Sequence, residues 1–185
     1  PVYLDSPMAI GATDVFVHHG DDHRLSATDC DRMRAIAACT RTADESKAID
    51  RSEGPMIILS ASGMATGGRV LHHLVRFLPD ARTTVLPDGY QTAGTRGRAL
   101  LDGVDELKIQ GRYVPVRARI AQIEALSAHA DHLELVGWLR GSAIAPRRVY
   151  VTHGEPAAAD ASRPRLRDSF GWDVVVPTDG ARHRV

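Results

Sequence analysis

Cysteine is scarce in this chain, with only Cys30 and Cys39 among 185 residues. Lacking a Cys-x-x-Cys spacing, the pair excludes a disulfide framework and a zinc ribbon, and both read as ordinary buried or half-buried thiols. Long apolar runs are missing too. The longest, Ala35 to Cys39, has five residues, against the roughly 18 that a membrane-spanning helix needs, so no membrane partner is expected. Net charge is absent: 23 Lys+Arg balance 23 Asp+Glu, with 9 His. That balance excludes a protein that coats polyanions generically and leaves any nucleic acid to a local patch. The opening Pro1-Val2-Tyr3-Leu4-Asp5-Ser6-Pro7 has neither the basic start nor the apolar core of a targeting segment, which predicts a cytoplasmic protein. A strand is already under way at Pro1, and the expectation is a portion of a longer protein.

What is present is an alternation of short apolar runs and amphipathic segments, the pattern of an α/β protein with a mostly parallel sheet covered by helices. Strands are predicted at Pro55–Ser60, Thr83–Leu86, Arg148–Thr152 and Asp173–Val176, with further candidates at Val2–Asp5 and Ala35–Thr40. Thr42-Ala43-Asp44-Glu45 and Asp131-His132-Leu133-Glu134 are capping boxes that open helices. Gly67–Leu78 places Val70, Leu71, Leu74, Val75 and Leu78 on one stripe. Its two histidines, His72 and His73, read as helix residues with at least one facing solvent. The stretch from Glu106 differs in kind: alternation, a turn at Gly111-Arg112, then Val114 to Ile120 predict an antiparallel hairpin and a domain boundary near residue 103. Pro164 predicts two short helices, near 157–162 and 164–170, in place of one.

Ligands of open α/β sheets bind beyond the carboxyl ends of the strands. Four segments fit that position: 61–68 (ASGMATGG), 87–98 (PDGYQTAGTRGR), 127–131 (SAHAD) and 153–156 (HGEP). Small residues let backbone N–H groups approach phosphate oxygens, and helix N-termini add partial positive charge, so the four predict an anion site.

The combination of DSPMA at 5–9, SASGMATGGRVLHHL at 60–74, GYQTAGTRGR at 89–98, VPVRARI at 114–120, SAHAD at 127–131 and VTHGEP at 151–156 resembles the β-CASP subgroup of metallo-β-lactamase-fold nucleases. More narrowly it is similar to bacterial metallo-hydrolases that carry an RNA-specificity domain. The resemblance implies a Rossmann-like parallel sheet over residues 1–103, the β-CASP domain, followed over 104–185 by the C-terminal half of a metallo-β-lactamase αββα fold. It implies that His153 ligates one of two zinc ions and that His129 is catalytic, close to the scissile phosphate and able to protonate the leaving oxygen. The backbone of Ser127, Ala128 and Ala130 matches a phosphate-holding loop, and Ser62, Gly63 and Met64 match a loop facing the catalytic cleft. A histidine at 153, where DNA-directed relatives tend to carry valine, tilts the substrate towards RNA. Arg96 and Arg98, and with less claim Arg117 and Arg119, are candidates to hold an RNA backbone; the plainer readings are a solvated face for the arginines and a tight turn for Ser62-Gly63.

The family's His-x-His-x-Asp-His signature is not in the chain. His18-His19-Gly20-Asp21-Asp22-His23 approaches it but lies downstream of DSPMA, where similar sequences have a helix and a polar loop, and it reads as a solvated helix end. The expected partners are therefore RNA and an N-terminal half of the same protein, with zinc absent or weakly held by these residues alone. A face left open in the second half predicts self-association of the isolated chain. The function expected is that of a portion of a zinc-dependent ribonuclease, inactive by itself; the alternative is a metal-free RNA-binding or interaction module.

Overall fold

Helices and strands follow one another as the apolar pattern predicts, but in shorter strands and more separate sheets. The computed structural model describes residues 1–123 and 129–183, which fall into two compact units, Pro1–Leu126 and Ser127–Val185.

In the first unit, β1 (Val2–Leu4), β2 (Ala38–Cys39) and β3 (Ile57–Leu59) form a parallel sheet in the order β2-β1-β3, with Leu4 beside Cys39 on one side and Leu59 on the other. The expected strand at 35–40 is cut to two residues because Ala35 and Ile36 finish a helix, α2 (Ala27–Ile36). The helices start where caps place them. Ser6 accepts the Ala9 N–H and Pro7 supplies the first position of α1 (Pro7–His18), while Ser26 with Asp29 and Thr42 with Glu45 cap α2 and α3 (Ala43–Arg51) reciprocally. Cys30 is buried and Cys39 exposed, so the second thiol departs from expectation: β2 is an edge strand.

The stripe on α4 (Val70–Phe77) builds the core of this unit. Leu71, Leu74 and Leu78 pack with Leu100 of α5 (Arg96–Leu101) and with Leu107, Ile109, Val114 and Ala118. Leu107 and Ile109 alternate inward from β5 (Glu106–Ile109), which pairs antiparallel with β6 (Arg112–Pro115) through the turn Gln110-Gly111, both at positive φ. The predicted second hairpin strand to Ile120 is corrected here. The chain leaves the ladder after Pro115, Arg117 and Ala118 both donate to the Leu78 carbonyl, and Arg119–Ile120 becomes β7, parallel to β4 (Thr84–Val85). By packing, the hairpin belongs to the first unit.

The second unit is a β-α-β element preceded by a helix. Strands β8 (Val149–Tyr150) and β9 (Val174–Val175) pair in parallel around α7 (Pro156–Phe170), and α6 (His132–Arg140) contacts α7. One continuous α7 replaces the two helices predicted around Pro164. Ala159 and Leu166 are buried on either side of the proline, holding both halves to one axis, while Asp160, whose carbonyl loses its i+4 donor, is exposed to water. Gly171, at φ 69°, ends the helix.

Candidate nucleic-acid interface

Two of the four segments read as strand-end loops meet in the first unit. The segment after β3 carries two non-glycine residues in left-handed backbone, Ser62 (φ 81°) and Ala65 (φ 52°), each costing about 1–3 kcal/mol unless its surroundings enforce it. The enforcement is visible. Ser62 Oγ accepts the N–H groups of Thr66 and Gly67 at 3.1 and 3.3 Å, and the Ser62 carbonyl accepts Ala65 N–H at 2.8 Å. From the segment after β4, Gln91 Nε2 donates to the Gly63 carbonyl (2.9 Å), Gly97 N–H to that of Met64 (3.0 Å) and Arg96 Nη1 to that of Ala65 (3.3 Å). Arg96 Nε also reaches the Lys108 carbonyl at 2.7 Å, tying both loops to β5. A Cβ at position 97 would sit 1.7 Å from Gln91 Oε1, so any larger residue there must displace the Gln91 amide. Gln91 is 2% exposed, and among the described residues that Oε1 meets no donor. Arg98 pairs with Asp102 at 2.8 Å on α5 and stays half exposed; Arg117 and Arg119 are exposed.

Beneath this loop pair lies a buried charge cluster. Asp5, at the carboxyl end of β1, is wholly buried and takes Arg69 Nη1 on one oxygen (2.6 Å) and both Ser46 Oγ and His73 Nε2 (2.7 Å) on the other. The second ring nitrogen of His73 faces Asp50 at 2.7 Å, and Arg69 continues to the Thr40 and Arg41 carbonyls. Burial pushes the Asp5 carboxyl up, but the hydrogen bonds from Ser46, Arg69 and His73 outweigh it and hold the group below the usual carboxylate range. Reading the sequence missed this cluster: His73 is buried, His72 is the exposed one. The available signal was spacing, because Arg69, at the N-cap of α4, and His73 stand one helical turn apart, pointing at an aspartate that follows a strand.

In the second unit, His153 is exposed at φ 63°, three residues after β8, and a Cβ at Gly154 would come within 3.3 Å of Ala159, so the turn lies tight against α7. His129 and Ala130 are exposed and precede Asp131, whose carboxylate accepts Leu133 and Glu134 N–H groups while Glu134 returns a bond to Asp131 N–H. Ser127 and Ala128 lie outside the described residues. The chain's fit to zinc is poor on its own: among the described residues no group of three His, Cys, Asp or Glu side chains is arranged to hold a metal ion, and His153 brings one donor to an ion that takes about four. The segment His18 to His23 is no substitute. His23 stacks on Phe16 at 3.9 Å, its Nδ1 accepts Leu25 N–H and its Nε2 faces the Phe16 carbonyl at 3.0 Å, so both nitrogens are engaged locally.

With an α/β core of parallel strands and this loop pair defined, family comparison places the chain. Residues 1–100 match the Beta-Casp domain, and the chain belongs to that family. Residues 113–177 match the Zn-dependent metallo-hydrolase RNA specificity domain. Among curated proteins it is similar to Ribonuclease TTHA0252 of Thermus thermophilus, 36% identical over 84% of this chain and 36% of that protein. It is also similar to the RNase J-like protein of Methanocaldococcus jannaschii, at 37% over 84% of this chain and 36% of the relative. The transcription termination factor FttA of the same organism is 29% identical over 96% of this chain and 27% of its own length. The chain thus spans about a third of the length of the curated relatives it matches.

Proposed function

We propose that the chain is the RNA-facing portion of a zinc-dependent ribonuclease, a phosphodiesterase that processes RNA in the cytoplasm. Residues 1–103 form most of the β-CASP domain, with the hairpin packed onto it, and 104–185 supply the C-terminal half of the metallo-β-lactamase αββα fold. His153 contributes one ligand to a two-zinc site completed by an N-terminal half of the same protein. His129 serves as catalytic acid near the scissile phosphate, and Ser127, Ala128 and Ala130 present backbone to a phosphate. Zinc, when bound, supplies an activated water and neutralises charge on the phosphoryl oxygens. Ser62, Gly63 and Met64 face the RNA, with Arg98 at the margin of the same surface.

The observation that carries this reading is where backbone strain falls. The described non-glycine residues at positive φ are Ser62, Ala65, Gln110 and His153; Gln110 serves a two-residue hairpin turn, and the other three lie in the segments whose sequence points to RNA and metal. Unenforced strain is costly, and its concentration in these loops supports binding there. A second reading, a metal-free RNA-binding module, is favoured by the donor count given above.

The test is the intact mass of the natural gene product with plasma mass-spectrometric metal analysis on the same sample, and RNA cleavage by wild type and His153→Ala. A product well above 20.0 kDa with about two zinc ions, whose cleavage is lost in the variant, is expected. A metal-free product near that mass that binds RNA without cutting it selects the second reading.

A further inference from the structure

We propose that Arg96 and Gln91 are positioning residues for RNA: they bind no phosphate, but turn the carbonyls of the Ser62–Thr66 loop inward so that the N–H groups of Gly63 and Met64 face outward to receive one. This rests on the RNA-facing reading of that loop.

In a planar trans peptide the C=O of one residue and the N–H of the next point in opposite directions. Gln91 Nε2 fixes the Gly63 carbonyl inward, which turns Met64 N–H outward. The Ser62 carbonyl is closed inside the loop by Ala65 N–H, which turns Gly63 N–H outward as well. Among the described residues neither N–H has an acceptor, Gly63 being exposed and Met64 half-buried. The following two N–H groups are consumed inside, by the Ser62 carbonyl and by Ser62 Oγ. Adjacent outward N–H groups after a left-handed residue form a concavity suited to a phosphate oxygen. Arg96, by contrast, directs its guanidinium to backbone: Nε to Lys108 O at 2.7 Å, Nη1 to Ala65 O at 3.3 Å and within 3.5 Å of Thr66 O. Such a fork satisfies several carbonyls at fixed angles, which an ammonium cannot copy. Gln91 holds its post at a cost, with Oε1 buried and, among the described residues, unpartnered, and with its amide filling the space that a Cβ at position 97 would take; an acceptor kept under those terms has its use in the other half of the amide.

The experiment is fluorescence anisotropy of a fluorescein-labelled single-stranded RNA oligonucleotide with the full 185-residue chain across a salt series, comparing wild type, Arg96→Lys, Arg96→Ala and Gln91→Met, each with its thermal melt. Losing the outward N–H pair weakens affinity by about tenfold. Both Arg96 variants are expected to lose this much and to keep the wild-type slope of log affinity against log salt. Gln91→Met removes no charge and relieves the orphaned acceptor, so its melt is expected at or above wild type while its affinity falls; a merely structural role would lower both. Direct phosphate contact by Arg96 predicts instead that Arg96→Lys binds like wild type and that Arg96→Ala loses about 0.7 from the slope, and either result overturns the proposal. Wild-type affinity in Gln91→Met also overturns it. If the wild-type chain binds no RNA at low salt, the RNA-facing reading falls, and this inference with it.

Discussion

The two compact units spend their apolar residues very differently. In the first, α4, α5 and the hairpin bury a continuous cluster in which Leu78 and Ile109 are 0% exposed. In the second, the buried apolar residues among those described are Ala159, Leu166 and Val174, while Leu133, Trp138 and Ile144 stay more than 60% exposed. Small units that bury little apolar surface are marginal by themselves. The contrast teaches that order in the first unit is enforced from within, whereas α6, with no buried residue of its own, has its Asp131–Glu134 cap and its contact with α7.

Both tryptophans, Trp138 and Trp172, lie in the second unit, so urea unfolding followed by tryptophan fluorescence reports on it, while far-ultraviolet circular dichroism reports on the whole. The largest expected effect is for His73→Leu, which strands Asp5 and Asp50 and lowers stability by about 3–5 kcal/mol in the dichroism transition, with the fluorescence transition unmoved. A shift of both curves together would erase the distinction between units. Next, Ile109→Ala costs about 2–5 kcal/mol, whereas Trp138→Ser stays within about 0.5 kcal/mol; the reverse order in melting experiments would invert the comparison. The smallest effect is an acid limb. Because the folded Asp5 carboxyl sits below its unfolded value, its stabilisation is complete above about pH 3.9 and is lost as pH falls through the folded value beneath that. The melting difference between wild type and Asp5→Asn is therefore expected to narrow as the pH falls below about 4; a constant difference would show that Asp5 matters through shape alone.

Local chemistry made much of this legible in advance. Capping boxes located the starts of α3 and α6 because the cap is written in adjacent side chains, and the α4 stripe foretold the core because helical period is a property of the segment itself. Partner exchange was not legible: nothing near Pro115 says that the chain will leave β6 and join β4, since that pairing is decided by residues some thirty positions away. Pro164 was read by its local penalty, which the burial of Ala159 and Leu166 overrides. For the site, the loops announced themselves by small and polar residues, but the division of labour inside them did not. Nothing in the sequence says that Arg96 bonds the carbonyls of Ala65, Thr66 and Lys108, and Gln91 carries no sequence signal beyond its place between a tyrosine and a threonine.

The cluster around Asp5 also constrains how this chain can change over generations. A buried ionic set exchanged as a whole for well-packed apolar residues is often neutral or better, yet losing one member strands the rest. Asp5, Ser46, Asp50, Arg69 and His73 come from the end of β1, from α3, from α4 and from the turn before it, so no single codon change reaches the apolar alternative, and each lone change leaves a buried charge unpaired. These five positions should therefore show strong epistasis: each intolerant alone, permissive only when its partners have already moved.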